Sequence, residues 1–422
     1  MPSLPNPTLR LGRRSAADVV GLDIQPGHIA AVQARVNGSV VAERAATLPL
    51  PADTVREGEV LDESVLGDTL RELFRDSRLS KRVRVGVANQ RTVLRTLELP
   101  PITDRKELDA AVRFQAQEQV PMPLANAVLD FHPLGVHDTP TGPRQQVVLV
   151  AAQRDMVARL LAAVRGAGLR PEGVDLSAFA LIRSLYRSDA EHDGRVLYLN
   201  VDGLTNMAIA EGAICRFTRV VGGGLEAMAS ELAERRGVAV ADARALISSA
   251  DLLVSAPGSA EPALPEPGAL EALLTESTSL ESQTPAAPAD PESSTEPYAE
   301  SLEDALNASE SFAALAEQTP QAPDAEVRAV LENGIREIAG EVRNSLEFHR
   351  SQEGGGEVAL VVLSGAALDV PGFADILEAE LGVAVTRETV GMADGALDGA
   401  GDVSPQRLAV AAGLAIEEAH TR

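Results

Sequence analysis

The chain has 422 residues, of which 45% are hydrophobic and only 3% aromatic, with no tryptophan. We therefore expect two or more domains built around aliphatic cores. The formal net charge of -25 argues against nucleic-acid binding, because a phosphate backbone would be repelled. The lone cysteine, Cys215, excludes an internal disulfide, agrees with a reducing cytosol and is expected to be a small core residue.

The N-terminal residues 1–17 carry a basic cluster but no apolar segment of signal-peptide length. No later stretch approaches the roughly 20 apolar residues that a membrane-spanning helix needs. We interpret these residues as a flexible basic tail of a cytoplasmic protein. The alternative is contact of Arg10, Arg13 and Arg14 with anionic lipid, although a few charges attract a membrane only weakly.

The region up to residue 82 predicts a group of strands followed by a helix. Apolar residues recur at strand spacing first and at helical spacing later. The predicted elements are strands near 19–24, 29–36 and 39–47 and an amphipathic helix over 63–76.

Residues 83–165 predict a small α+β module inserted into a larger domain. Asp104 and Glu107 can cap a helix, and Pro121 and Pro123 end it because proline lacks the amide hydrogen that a helix uses. The predicted elements here are strands over 82–89, 92–100, 127–135 and 145–152 and helices over 104–119 and 154–167, with a further helix over 177–187.

The second half again begins with three strands and a helix. This shared order suggests two related halves, although the residues show little identity. The elements predicted here are three strands between 195 and 221, helices near 225–236 and 325–351, a strand over 357–364, a helix over 372–381, a strand near 383–388 and a closing helix over 406–418.

Residues 255–323 are rich in Pro, Ser, Thr, Ala and Glu and contain no Lys or Arg. Such a composition buries too little apolar surface to offset the entropy of folding. We predict a disordered acidic insertion, whose role as a tether, a regulator or a tolerated loop stays open.

Three stretches carry a family resemblance: LDAAVRFQAQEQVPMPLANAVLDFHPLG at 108–135, EIAGEVRNSLEFHRSQ at 337–352 and LSGAALDVPGF at 363–373. Together they resemble the PilM family, the actin-like ATPases of type IV pilus assembly. The first is similar to that family's most distinctive segment, a helix followed by a Pro-x-Pro-Leu turn and a Leu-Asp-Phe strand. Their order and spacing fit nearly the whole chain apart from the acidic insertion.

The resemblance implies an α/β protein with the actin-like two-lobe ATPase fold, built from ribonuclease H-like halves, with a nucleotide in the cleft between the lobes. The implied domains are a first lobe (18–82 and 166–190), an inserted SHS2-like module, subdomain 1C (83–165), a second lobe (191–254 and 324–405), the disordered insertion (255–323) and a C-terminal helix that returns to the first lobe (406–422).

The resemblance also implies a partner. In this family the groove beside the inserted module binds the cytoplasmic N-terminal tail of the inner-membrane protein PilN. That contact would place the chain at the inner face of the membrane, linked indirectly to the assembly platform and its motor ATPases, with self-association left open. The implied groove residues are Val112, Phe114, Met122, Leu124, Leu129 and Phe131. The alternative is that these side chains form the core of the module.

An actin-type site wraps the phosphates with two hairpins, each carrying an aspartate that holds Mg²⁺ or orients water. Asp23 matches the first aspartate and is the implied metal ligand. The family's Asp-Ile-Gly becomes Asp-Ile-Gln here, with Gln25, and Pro26 removes an amide that could bind phosphate. Gly27 and His28 complete the turn, and His28 is either a phosphate ligand or a solvated side chain.

The second hairpin departs further, because Asn200 stands at the carboxylate position and Asp202 at the glycine. An amide replaces a carboxylate poorly as a metal ligand or base, so Asn200 argues against efficient hydrolysis. A shift of strand register could instead bring Asp202 into that role. The full set implied to bind nucleotide is Asp23, Gln25, Gly27, His28, Asn200, Asp202, Gly203, Thr205, Gly222, Gly223, Glu341, Asn344, Gly365 and Ala366.

These residues predict an adaptor that binds ATP and Mg²⁺ with weak or no hydrolysis, so whether the chain is an enzyme stays open. One alternative is a small-molecule kinase of the same superfamily, which would need a clean second aspartate. Another is an FtsA-like cell-division protein that polymerises at the membrane. The closing sequence RLAVAAGLAIEEAHTR lacks the basic, aromatic face that such a membrane helix carries.

Overall fold

The computed structural model describes residues 19–140, 142–188, 194–254, 324–352, 355–397 and 403–416. The tail predicted at 1–17 and the insertion predicted at 255–323 lie outside them. The described residues up to 252 and from 325 onward form one compact unit, and the fold described below is that of this unit. None of the described helices combines the length and the apolar composition that crossing a lipid bilayer requires.

The elements follow one another in two groups. The first group is β1 (Val20–Gln25), β2 (His28–Asn37), β3 (Ser39–Pro49), β4 (Val55–Arg56), β5 (Glu59–Val60), α1 (Glu63–Asp76), β6 (Arg82–Val87), β7 (Val93–Leu99), α2 (Arg105–Gln119), β8 (Ala127–Thr139), β9 (Gly142–Gln153), α3 (Arg154–Gly166), β10 (Arg170–Leu176) and α4 (Ser177–Leu185). The second group is β11 (Arg195–Val201), β12 (Thr205–Glu211), β13 (Ile214–Val221), α5 (Leu225–Arg236), α6 (Val240–Ser248), α7 (Ala325–Ser351), β14 (Leu360–Ser364), α8 (Phe373–Leu381), β15 (Ala384–Arg387), β16 (Gly391–Met392) and α9 (Ala409–Ala415).

Two sheets organise the unit. The first has the order β10-β6-β1-β2-β3-β16, and the second has the order β13-β12-β11-β14-β15. In each sheet three antiparallel strands joined by short turns lie beside parallel neighbours. Helices α1 and α3 cover the outer face of the first sheet, and α5 to α8 cover the outer face of the second. The repeated strand order therefore agrees with two related halves.

Helices α4 and α9 lie between the two sheets and share one apolar core with both. Two glycines permit this close packing. A Cβ atom on Gly21 would lie 1.8 Å from the Ala411 carbonyl oxygen, and one on Gly413 would lie 1.8 Å from the Ala180 carbonyl oxygen. The guanidinium of Arg84 donates to the carbonyls of Leu414 and Ile416 at 3.0 and 2.7 Å. These hydrogen bonds hold the C-terminal end of α9 against the first sheet.

The module between β6 and β10 contains a three-stranded sheet of order β7-β9-β8, with α2 on one face. Helix α2 begins as predicted, because Asp104 Oδ1 accepts the Lys106 and Glu107 amides at 2.9 and 3.0 Å. Leu108, Val112 and Ala116 form its buried stripe. Strand β8 stands at the edge of this sheet, so one side of its backbone is not paired within it.

Most predicted elements are observed, and the differences have physical reasons. Strand β10 was not predicted because it contains Pro171 and Gly173, which are tolerated there since β10 is an edge strand. Helix α6 lacks a side-chain cap and was also missed. The closing helix consists of a 3₁₀ turn at Pro405–Leu408 followed by α9, and residues 417–422 lie outside the described part.

Candidate functional site

The first hairpin turn joins β1 to β2 and buries its aspartate. Gly27 has the positive φ of 89° that this turn requires. Asp23 is only 2% exposed, and Gln25 Nε2 donates to its two carboxylate oxygens at 3.1 and 3.2 Å. The glutamine that replaces the family's glycine therefore engages the carboxylate that would face a metal ion.

Burial changes the acid-base behaviour of this hairpin. Desolvation, followed by repulsion from Asp202, raises the pKa of Asp23 to about 7. Desolvation also lowers the pKa of His28 to about 4, with Arg407 and Arg244 acting in the same direction and Asp202 opposing them. His28 is therefore a neutral imidazole at neutral pH.

The second hairpin turn joins β11 to β12, and its strands keep the register that pairs Val201 with Thr205. The register shift considered from the sequence is not observed. Asn200 is buried, and its Oδ1 accepts a hydrogen bond from the Ser364 hydroxyl at 3.0 Å. Asp202 therefore lies in the turn and not at the carboxylate position.

The two turns touch each other directly. His28 Nδ1 lies 3.3 Å from Asp202 Oδ1. A Cβ atom on Gly203 would lie 2.2 Å from the carbonyl oxygen of Pro26. Protein atoms thus meet at the place where the resemblance positions phosphate.

The glycine run before α5 lies outside the cavity between the turns. A Cβ atom on Gly222 would face Gln90 and Glu57, and one on Gly223 would have only Val221 within 4 Å. A role of these two glycines in binding nucleotide stays a prediction. Gly224, next along the chain, makes the close approach instead, because a Cβ atom there would lie 2.6 Å from the Asp202 carbonyl oxygen.

The two predicted residues on α7 also lie elsewhere. Glu341 pairs with Arg219 of β13, with Oε2 and Nη2 2.7 Å apart, and Asn344 is exposed. Neither lines the cavity between the turns. Helical periodicity alone could not show which face of this long helix meets the cleft.

The cavity between the turns has a volume of about 50 Å³, whereas ligand pockets commonly measure about 300–1,000 Å³. Of the implied nucleotide residues it brings together Gly27, His28, Asp202, Gly203 and Ala366. It adds residues that sequence motifs did not reveal, namely Pro26, Leu225, Glu226, Arg244, Ile247, Ser248, Asp369, Val370 and Arg407. Asp23, Gln25, Asn200, Thr205 and Gly365 do not line it.

The resemblance implies ATP and Mg²⁺ at this place, and the residues as arranged do not fit them. The Asp23 carboxylate is already bonded by Gln25. The cavity is also too small for a nucleotide, so no catalytic step is assigned to this cleft.

A second candidate site lies between α2 and β8 in the module. It is a groove with a volume of about 200 Å³. Of the six residues predicted for a partner groove, it contains Val112, Leu129 and Phe131. The groove is completed by Arg105, Asp109, Arg113 and Asp130.

The other predicted groove residues have different positions. Phe114 is 68% exposed and does not line the groove. Met122 and Leu124 are half-buried against the core of the module. Leu129 and Phe131 contact both that core and the groove.

Two sheets with facing hairpin turns, linked by helices between them, define a protein of the actin-like ATPase fold. A family model for type IV pilus assembly protein PilM matches residues 21–238, which is more than half of the chain. The chain belongs to the PilM family of type IV pilus assembly proteins.

Several solved structures are similar to this chain. A PilM-PilN type IV pilus biogenesis complex has 22% sequence identity and a TM-score of 0.65, with 95% of this chain and 98% of that chain covered. Ethanolamine utilization protein EutJ from Carboxydothermus hydrogenoformans has 14% identity and a TM-score of 0.43, with 94% and 88% covered. MreB5 of Spiroplasma citri bound to AMPPNP has 10% identity and a TM-score of 0.40, with 90% and 93% covered.

Proposed function

We propose that this chain is a cytoplasmic actin-like adaptor of type IV pilus assembly that binds the N-terminal tail of a PilN-like inner-membrane protein in the groove between α2 and β8. The observation that carries the proposal is this groove, because it combines an apolar floor with a charged rim. Family membership supports it, and so does the similar solved structure, which is a complex of PilM with PilN. Binding the tail would hold the chain at the inner face of the membrane.

The floor of the groove suits an apolar side chain. Val112 is fully buried, and Leu129 and Phe131 each leave part of their surface open to the groove. An apolar side chain gains roughly 25 cal/mol for each Å² that it removes from water. A hydrophobic residue of the tail would therefore anchor here.

The rim supplies charges of both signs. Arg113 Nε and Asp109 Oδ2 form an exposed pair at 2.8 Å. Arg105 lines the same rim and has no carboxylate partner among the residues that the structure describes. Charged groups at an exposed rim influence orientation and association rate more than affinity. They would orient a tail whose acidic groups lie beside its anchor.

The free edge of β8 limits backbone pairing. Asp130 Oδ1 accepts the amide hydrogen of Phe131 at 2.9 Å, and Pro133 in the same strand has no amide hydrogen. Both features discourage other strands from adding to this edge. Recognition of the tail would thus depend mainly on the anchoring side chain and less on strand addition.

Binding of the tail can be measured by the fluorescence anisotropy of a labelled peptide with the N-terminal sequence of the PilN-like protein. Leu129→Glu should weaken binding at least about tenfold, because it places a charge on the apolar floor. Phe114→Ala is the matched control, since it removes an apolar side chain of the same module outside the groove and should leave affinity unchanged. Equal affinities of the Leu129→Glu variant and the wild type would refute the proposal.

A further inference from the structure

We propose that the cleft between the two sheets is a permanently closed seam, in which the chain's own side chains and carbonyl groups take the positions that phosphate and metal hold in an actin-type site. The two halves would then be held together without a nucleotide. This inference is independent of the tail-binding proposal.

Each of the three residues that differ from the family motif makes a side-chain contact. Gln25 bonds the Asp23 carboxylate, Asn200 accepts from Ser364, and Asp202 contacts His28. The first two contacts lie within the first hairpin and within the second sheet, and Gln25 Oε1 is buried without a hydrogen-bond partner among the described residues. The contact of Asp202 with His28 is the one of the three that joins the two turns.

The His28–Asp202 contact joins the two turns. Both residues are buried, at 5% and 3% exposure. His28 Nδ1 lies 3.3 Å from Asp202 Oδ1, and His28 Nε2 has no hydrogen-bond partner among the described residues. The Asp202 carboxylate at this position would repel a phosphate group.

Backbone carbonyls fill the space beside three glycines. Cβ atoms on Gly203, Gly224 and Gly365 would lie 2.2, 2.6 and 2.4 Å from the carbonyl oxygens of Pro26, Asp202 and Val201. Glycine in a phosphate loop lets the ligand approach the backbone. In this cleft the approaching group is another strand or turn of the protein.

The amides that would surround a phosphate are also engaged. The Gly203 amide donates to Asp202 Oδ1 at 3.0 Å, and the Leu225 amide at the start of α5 donates to the Asp202 carbonyl at 2.8 Å. The Gly365 amide donates to the Gln406 carbonyl at 3.2 Å. A phosphate could bind these amides only by breaking bonds that the fold already makes.

Two arginines close the remaining sides. Arg244 of α6 donates to both carboxylate oxygens of Glu226 at 2.6 and 2.5 Å. It also donates at 3.4 Å to the carbonyl oxygen of Leu50, which directly follows β3 of the first sheet. Arg407 Nη1 lies 3.8 Å from Asp202 Oδ1, and Arg407 Nε lies 3.8 Å from Asp369 Oδ2. Carboxylates thus neutralise the cations that could attract an anion.

The test uses the full chain and needs no variant for its first arm. Calorimetric titration with Mg-ATP should give no saturable heat up to millimolar nucleotide. The hydrogen-exchange rates of the amides in both turns should change by less than about twofold when Mg-ATP is added, because these segments are already protected from exchange. Saturable binding, or protection gained with nucleotide, would overturn the seam.

The second arm removes the bridge. His28→Ala should accelerate exchange in both turns by about tenfold without nucleotide, because the two turns lose their shared polar contact. The matched control is His137→Ala, which removes an exposed histidine of β8 that pairs with Glu98. Unchanged protection in His28→Ala would also count against the seam. Tail-peptide affinity measured on the same samples reports separately on the adaptor role.

Discussion

The cleft between the sheets and the groove of the module differ in what fills them. The cavity of the cleft is lined by polar and apolar residues from both turns, which are joined by the His28–Asp202 contact, and it has a volume of about 50 Å³. The groove has an apolar floor under an exposed charged rim and a volume of about 200 Å³. One fold thus carries a small cavity between two hairpin turns beside a larger groove with an apolar floor. A fold family's principal cleft need not be the place where a given member acts.

The largest effect is expected where the two turns touch each other. Gly203→Val should lower the free energy of unfolding by at least about 3–4 kcal/mol, because backbone atoms would have to move apart to admit the side chain. Urea denaturation checks this. Gly340→Ala is the control, since nothing lies within 4 Å of a Cβ atom there, and alanine should stabilise α7 by up to about 1 kcal/mol.

The buried carboxyl group of the cleft should make stability depend on pH. Asp23 has a folded-state pKa raised from 3.8 to about 7, so its contribution is present in acid and lost as the pH rises through 7. Asp23→Asn should therefore be more stable than the wild type at pH 8 by about 4 kcal/mol and equal to it near pH 4.

Thermal or urea unfolding across this pH range measures the difference between variant and wild type. The lowered pKa of His28 makes stability rise with pH, which is opposite to the effect of Asp23. Because His28 is present in both the variant and the wild type, its effect largely cancels in the difference between them. A constant difference from pH 4 to 8 would show that Asp23 is not desolvated and that the cleft is open to water.

The groove should respond to loss of an apolar contact. Phe131→Ala should weaken tail binding by about tenfold, or about 1.4 kcal/mol, because the aromatic ring forms part of the floor. Val136→Ala on the same strand is the control, since Val136 is 57% exposed and outside the groove. Equal losses from both substitutions would place the tail elsewhere along β8.

The smallest effect is expected at the rim. Asp109→Asn should change stability by no more than about 0.5 kcal/mol, because exposed pairs contribute little. It should free Arg113 and raise affinity for an acidic tail about twofold to threefold, with the gain lost at high salt. Anisotropy titrations at two salt concentrations measure this, and the same gain at both would refute the electrostatic account.

Much of the fold could be predicted from the sequence, because local signals agree with the tertiary structure. The helix over 63–76 is observed at the predicted bounds, and Asp62 caps it. Strand β10 could not be predicted, because Pro171 and Gly173 are unfavourable in strands and its parallel partner, β6, is distant in sequence. Pairing between distant segments has no local pattern.

The candidate site was predictable only in part. The departures at Gln25, Asn200 and Asp202 were visible in the motif, but their partners were not. Arg244 and Arg407 follow no motif, so only the folded chain shows that they reach the cleft. Phe114 lies outside the groove because, two residues after Val112, the helix has turned by about 200° and its side chain faces the other side.

The position of α9 has a consequence for biosynthesis. This helix packs between the sheets through Gly21 and Gly413, yet it is made more than 200 residues after its neighbour α4. The inner face of the first sheet therefore stays uncovered while most of the chain is translated. A nascent chain should depend on holdase chaperones until α9 leaves the ribosome, and stop codons introduced before α9 should yield aggregates instead of shortened folded chains.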